Sequence, residues 1–236
     1  MKELACLSGI LFFLITPGMA DPAAPIERVP LPAGPLLGRL ADFSAVQTTY
    51  AYASDKMKPA TATPAPHFLS YKPSDPARSV TLTRAKPTWH VSRVDINGNS
   101  VDEWSEGTDI YCLASGLPDP LLQNTSDPTG FPDYNKVDFP DMEWISPKTY
   151  QGVQAMKGHP CLVFKIAETV TGIETTAWID LETRLPVQWQ RGNETRTFRQ
   201  LSPPTDILRM PSAIAAFIAV RKHDREMQMR PIVRGG

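Results

Sequence analysis

Hydrophobic and polar positions alternate most regularly between Cys161 and Gln200. Leu162, Phe164 and Ile166 fall on one side of an extended segment, because successive strand side chains point to opposite faces. The spacing sets Leu185, Val187 and Trp189 on one face of a later strand, with Gln188 and Gln190 opposite. Ala177 to Asp180 forms a third strand between them. Period-two patterning with one apolar and one polar face is the habit of antiparallel sheets. Leu181–Arg184 is short and polar enough for a hairpin loop, and Gly192-Asn193 tolerates the positive φ of a tight turn. Pro186 has no N–H for a ladder, so it is expected at an edge or a non-bonded position.

Upstream, the pattern predicts a first strand within Ala41–Tyr52, then Val80–Thr83, Trp89–Ile96, Val101–Trp104 and Ile110–Leu113. Asn97-Gly98 is the strongest hairpin signal in the chain. The proline-bearing stretches 54–79 and 114–148 break the pattern and read as long loops, the second acidic. From about Pro211 to Arg225 the period changes. Ile214, Phe217 and Ile218 stand at i, i+3 and i+4, with Arg221, Lys222 and Arg225 toward the C-terminal end, as in an amphipathic helix that packs on the sheet. The fold class is therefore mainly β (α+β), with one antiparallel sheet and a C-terminal helix against it.

Residues 1–20 carry Lys2, an apolar run from Leu4 to Ile15 and the small-residue site Gly18-Met19-Ala20. This is the pattern of a secretory signal cut after Ala20, and it implies a periplasmic or secreted protein. The run is too short for a membrane span, and no second one follows, so the mature chain is not expected in the membrane. Residues 21–39 form a proline-rich arm, 40–226 the sheet domain and 227–236 a flexible tail.

The net charge of −1 argues against a general nucleic-acid binder. Charge is nevertheless uneven. Residues 95–146 hold eleven acidic side chains and one basic, Lys136, whereas 184–236 hold ten basic and four acidic. Such runs normally serve solvation; the sharper reading is an acidic and a basic end that steer a charged partner.

Recognisable catalytic chemistry is absent from the sequence. No G-x-S-x-G elbow, phosphate loop or H-E-x-x-H motif occurs, and His67, His90, His159 and His223 are scattered, so no metal site and no cofactor are expected. Asp95, Asn97, Asn99 and Glu106 have the oxygen spacing of a calcium loop, but Ser100 stands where glycine is needed, and a hairpin explains the same residues. Asp102-Glu103 reads as a solvated carboxylate pair. Cys112 and Cys161 either pair in an oxidising compartment or pack as buried thiols. Trp89, Trp104, Trp178 and Trp189, with Phe164, are the candidate lining of an apolar groove; the bland alternative is that such residues fill the core.

The run Ala177-Trp178-Ile179-Asp180 followed by Thr183-Arg184-Leu185-Pro186-Val187 resembles a hairpin of the outer-membrane lipoprotein carrier (LolA-like) superfamily, whose relatives include periplasmic sigma-E regulators. Tyr150–Val153 and Gly158–Leu162 are similar to the strand before that hairpin, and the resemblance is best over residues 140–201. It implies a strongly curved half-barrel with an apolar concave side. It also implies a non-enzymatic protein that binds a lipid or a lipoprotein acyl chain. A protein-interaction or regulatory module of the cell envelope is the second expectation, and a secreted enzyme the third.

Overall fold

The computed structural model describes residues 24–53, 76–85, 88–107, 109–114, 119–123, 132, 134–202 and 208–229. The expected signal peptide, most of the loop 54–79 and the end of the tail lie outside the described residues. The strands are β1 (Ser44–Tyr52), β2 (Ala77–Ala85), β3 (Thr88–Asp95), β4 (Ser100–Glu106), β5 (Asp109–Ala114), β6 (Leu121–Gln123), β7 (Tyr150–Met156), β8 (His159–Ala167), β9 (Glu174–Asp180), β10 (Pro186–Arg191) and β11 (Glu194–Leu201), followed by helix α1 (Ser212–Met229). All eleven strands join one antiparallel sheet in the order β6-β5-β4-β3-β2-β1-β11-β10-β9-β8-β7. Two meanders thus run outward from a central seam, where β1 pairs with β11 from Ala45 opposite Leu201 to Tyr52 opposite Glu194. The sheet does not close: β6 and β7 are its edges. The expected architecture, mainly β with one C-terminal helix, is what the structure shows.

The turns form where local chemistry placed them. Asn97-Gly98 joins β3 to β4, with Gly98 at φ +87°. The buried Asp95 carboxylate accepts the backbone N–H groups of Asn97 and Asn99, and Asn99 Nδ2, at 2.8 to 2.9 Å. Those asparagines therefore build a turn. In the β9–β10 loop, Asp180 Oδ1 accepts the N–H groups of Glu182 and Thr183 and the Thr183 hydroxyl, and Arg184 takes φ +61°.

Two local expectations need correction. Pro186 is not on an edge strand: β10 lies between β9 and β11. It is the first residue of its strand, where a bulge between Pro186 and Gln188 shifts the register, and a strand start or bulge tolerates a missing N–H. That bulge also breaks the alternation, so Trp189 is buried while Val187 is only partly so.

The larger correction concerns 114–148, expected as a solvated acidic loop. Its first part contains the short strand β6. Its later part contributes to the main apolar core, with Tyr134, Phe139 and Met142 buried. That core includes Trp89 and Val91 from β3, Phe164 from β8, Ile179 from β9 and Trp189 from β10. Tyr134 meets Trp89 edge-on at 5.5 Å between ring centroids, and Phe139 meets Phe198 at 5.9 Å. Residues 134–146 have no period because they form turns and bends, so their apolar side chains gave no recognisable pattern.

Asp138 anchors this segment. Arg84 Nε on β2 donates to Asp138 Oδ1 at 2.6 Å, and the backbone N–H of Leu40 donates to Oδ2 at 3.0 Å. Arg84 also donates to the carbonyl of Tyr134. The N-terminal arm docks as well. Glu27 exchanges backbone hydrogen bonds with Val153 at 2.8 and 2.9 Å, beside the β7 edge. Gly152 permits this approach, since a Cβ there would lie 2.2 Å from the Glu27 carbonyl oxygen.

Helix α1 packs on the face opposite this core. Ile214 and Ile218 are buried against Trp104 and Tyr111, whose strand neighbours Val101, Ile110 and Cys112 point into the main core. Lys222 reaches Glu106 at 2.5 Å and Arg225 reaches Asp109 at 3.4 Å. No described helix is long and apolar enough to cross a membrane.

Removing one partner of a buried ion pair leaves the other charge uncompensated, at a cost of about 3–5 kcal/mol. Asp138→Ala is expected to destabilise the protein by about that amount, read from urea midpoints. A loss near zero would show that the crossing segment does not hold the fold.

Candidate functional site

Alternation along each strand decides what reaches the inner face. On β4, Val101, Glu103 and Ser105 are buried on the side of the main core, while Asp102 and Trp104 point the other way. The five groove residues expected from the sequence therefore do not form one surface. Trp89, Trp189 and Phe164 belong to the inner core. Trp104 lies under α1 and stacks on His90 at 4.1 Å, and His90 Nε2 is 2.8 Å from Asp102 Oδ1. Trp178 alternates with the core residues Ala177 and Ile179, so it too faces outward, and its Nε1 donates to Gln154 at 2.7 Å.

The three inner residues are covered by the chain itself. Tyr134 packs on Trp89, Tyr150 on Phe164 at 5.7 Å, and the Arg196 guanidinium lies 4.0 Å from the Trp189 ring centroid. The inner face is thus not an open apolar trough. Two spaces among the described residues bear on function.

The first is a cavity of about 220 Å³, lined in part by Tyr50 and Tyr52 of β1, Arg93 of β3, Glu103 of β4, Tyr134 of the crossing segment and Arg196 of β11. Glu103 is 0% exposed, and neither of its carboxyl oxygens has a hydrogen-bond partner among the described residues. Its β3 and β5 cross-strand neighbours are Val91 and Cys112. Burial pushes its pKa up to about 8, opposed by the positive charge of Arg93 and assisted by the negative charge of Asp102. The sequence reading of Asp102-Glu103 as a solvated pair is corrected: adjacent strand residues face opposite ways, and only Glu103 goes inward. A buried polar group without a partner is rare enough to mark a site.

Arg196 has its charge matched within the protein. It donates to Glu194 at 2.6 Å and to Asp141 at 2.8 Å, between the rings of Trp189 and Tyr50. Tyr52 donates to the carbonyl of Ala77 at 3.1 Å, and burial pushes its pKa up to about 12. Burial raises that of Tyr50 as well. These phenols stay neutral at physiological pH and serve as walls and hydrogen-bonding groups. The second space is a more open groove of about 410 Å³, lined by Asp141, Trp144, Ile166, Glu168, Trp189 and Arg191 among others. Asp141 lines both spaces, and the Arg196–Trp189 stack links their walls.

Cys112 on β5 and Cys161 on β8 are buried thiols that are not joined to each other. Seven strands separate β5 from β8 in the sheet order. Burial raises both pKa values, that of Cys161 to about 11, so neither is a thiolate near neutral pH. The acidic and basic ends of the sequence meet each other: Arg196 pairs with Asp141, Lys222 with Glu106 and Arg225 with Asp109.

No family model matches the chain, and no curated protein matches it. Among solved structures, lipoprotein LppX of Mycobacterium tuberculosis is similar at 12% sequence identity and a TM-score of 0.38, over 70% of this chain and 87% of that one. That likeness assigns neither family nor ligand to this chain.

The raised pKa of Glu103 has a signed consequence. Between the ordinary carboxylate value and about 8, the folded protein keeps a proton that the unfolded chain has released. Its contribution to stability is complete below that window and is lost as pH rises through it. Urea midpoints of the wild type are expected to fall between pH 5 and pH 8 relative to those of Glu103→Gln, which carries no titrating group there. A constant difference between the two proteins across that range would contradict the burial of an ionisable group.

Proposed function

We propose that this chain is a non-enzymatic binding protein that holds a small amphipathic molecule on the inner face of the half-barrel. The observation that carries this reading is Glu103, a wholly buried carboxyl that lies beside a cavity and whose oxygens have no partner among the described residues. Burying such a group without a partner costs about 1–3 kcal/mol, and a ligand that reaches it by displacing a neighbouring lining side chain offsets that cost. The polar end of the ligand occupies the Glu103 cavity. Its apolar part lies toward the groove of Trp144, Ile166 and Trp189.

The hairpin resemblance to lipoprotein carriers supports a hydrophobic ligand, and the signal-like residues 1–20 support binding in the periplasm or outside the cell. A cavity of about 220 Å³ is smaller than the roughly 300–1,000 Å³ of drug-sized sites. A full acyl chain therefore extends beyond it or displaces part of the crossing segment. Binding without catalysis fits the chemistry of the lining: Tyr50 and Tyr52 are held as neutral phenols. The envelope-interaction reading is the second one, and three of its charges, Arg196, Lys222 and Arg225, are already paired with Asp141, Glu106 and Asp109 within the molecule.

Native mass spectrometry of the mature protein from its own envelope tests the proposal. A small molecule is expected to co-purify with the wild type and to be lost from Glu103→Leu. An apo wild type that also shows no change in tryptophan fluorescence or melting temperature across a panel of amphiphiles would remove this reading.

A further inference from the structure

The β7 edge of the sheet already carries an occupant, and the contacts show what the edge accepts. The N-terminal arm meets β7 at one isolated antiparallel bridge, where Glu27 and Val153 exchange both backbone hydrogen bonds. In an antiparallel ladder the next residues able to do the same lie two positions away on each strand. These are Pro25 opposite Ala155 and Val29 opposite Gln151. Pro25 has no N–H to give to the Ala155 carbonyl. The Val29 N–H turns back to the Glu27 carbonyl at 3.1 Å, so the arm leaves the edge there. The arm thus fills the rung at Val153 and does not make those beside it.

The filled rung is shaped for a passing main chain. Gly152 takes φ +143°, and a Cβ on it would lie 2.2 Å from the Glu27 carbonyl oxygen and 2.9 Å from Ile26 Cγ2. Gln154, a buried polar side chain, supplies a further contact. Its Oε1 accepts from Trp178 Nε1 at 2.7 Å, and an indole N–H only donates. The NH2 of the Gln154 amide is thereby turned toward the arm, where it donates to the carbonyl of Ala24. The hydrogen bonds from Val153 and Gln154 all go to main-chain atoms of the arm, so they do not depend on its sequence. Only the aliphatic group of Ile26, over Gly152, does.

Residues 24–29 can leave without unfolding the sheet. The arm is held separately downstream, where the Gly38 N–H donates to the Arg184 carbonyl at 2.7 Å and the Leu40 N–H to Asp138 at 3.0 Å.

We infer that the β7 edge is a strand-addition site for an extended segment of another polypeptide, with residues 24–29 as its resident, displaceable occupant. A segment with an N–H at the position of Pro25 gains a rung that the arm cannot make, and main-chain hydrogen bonds are what give affinity in strand addition. An aliphatic residue at the position of Ile26 fits over Gly152. A second β7 edge is a poorer partner. The register shift between Tyr150 and Gly152 bends the strand, and bulged edges resist edge-to-edge pairing. A single free segment follows the bend, as the arm does. The inference is independent of the Glu103 cavity.

The test uses two fluorescein-labelled peptides of residues 24–33, one of native sequence and one with Pro25→Ala. Each is titrated by fluorescence polarisation into the full mature protein, as wild type and as Glu27→Pro, which removes the arm's own donor to Val153. The alanine peptide is expected to bind Glu27→Pro about tenfold or more tightly than the wild type, because a tethered arm competes at an effective concentration of about millimolar. It is expected to bind either protein about two- to tenfold more tightly than the native peptide, the worth of one added hydrogen bond. Gly152→Val is expected to abolish binding of both. In the wild type, saturating alanine peptide is expected to expose the Glu27 N–H to hydrogen exchange while the Val153 N–H stays protected. Melting temperatures report whether the variants fold, and hydrogen exchange on the wild type decides where one does not.

A folded Glu27→Pro that binds neither peptide, equal affinity for the two peptides, or binding that survives Gly152→Val would overturn the inference. So would a Glu27 N–H that stays protected under saturating peptide. A Glu27→Pro protein that dimerises and excludes the peptides would assign the edge to a second copy and overturn it as well.

Discussion

A connection that must cross the sheet is the constraint on which the rest of this molecule depends. β6 and β7 follow each other in the chain yet lie at opposite edges of eleven strands. Ten strand spacings of about 4.8 Å amount to about 48 Å along the sheet. The chain between Gln123 and Tyr150 has to make that passage, and its described residues 134–149 lie against the apolar face. Its buried residues Tyr134, Phe139 and Met142 complete the core that an open sheet leaves uncovered. An open sheet with one apolar face needs such a cover, and the topology supplies it without a second domain.

Asp138 and Arg196 fix the crossing in place from two sides. Asp138 ties it to β2 and to the arm at Leu40. Arg196 ties Asp141 to β11, while its guanidinium lies against Trp189 and Tyr50. Between these two anchors the cover does not fill the inner face, and Glu103 lines the space that remains. A hydrophobic side chain at that position would remove an orphaned polar group from the interior. The carboxyl is therefore a cost to folding that packing alone does not explain.

The outer face has a different role. α1 covers Trp104 and Tyr111, and its cations find Glu106 and Asp109 at the turn between β4 and β5. Part of the charge asymmetry of the sequence is thus matched inside the molecule. Exposed pairs of this kind contribute little individually, about 0–1 kcal/mol, and the burial of Ile214 and Ile218 holds the helix in place.

The sequence alone determined the strands whose side chains alternate and the turns whose residues permit them. The Asn97-Gly98 hairpin, the Leu181–Arg184 loop, the Gly192-Asn193 turn and the helix bearing Ile214 and Ile218 were all legible, because each depends on neighbours a few residues away. Two of the five expected groove residues, Trp104 and Trp178, fell on the wrong face because composition does not say which side of a sheet is the inside. The burial of Glu103 and the passage of Tyr134, Phe139 and Met142 through the core were decided only by tertiary structure. They depend on which strands lie at the edges and on which face the connection between them must cover. These relations span the whole sheet, and no local period records them.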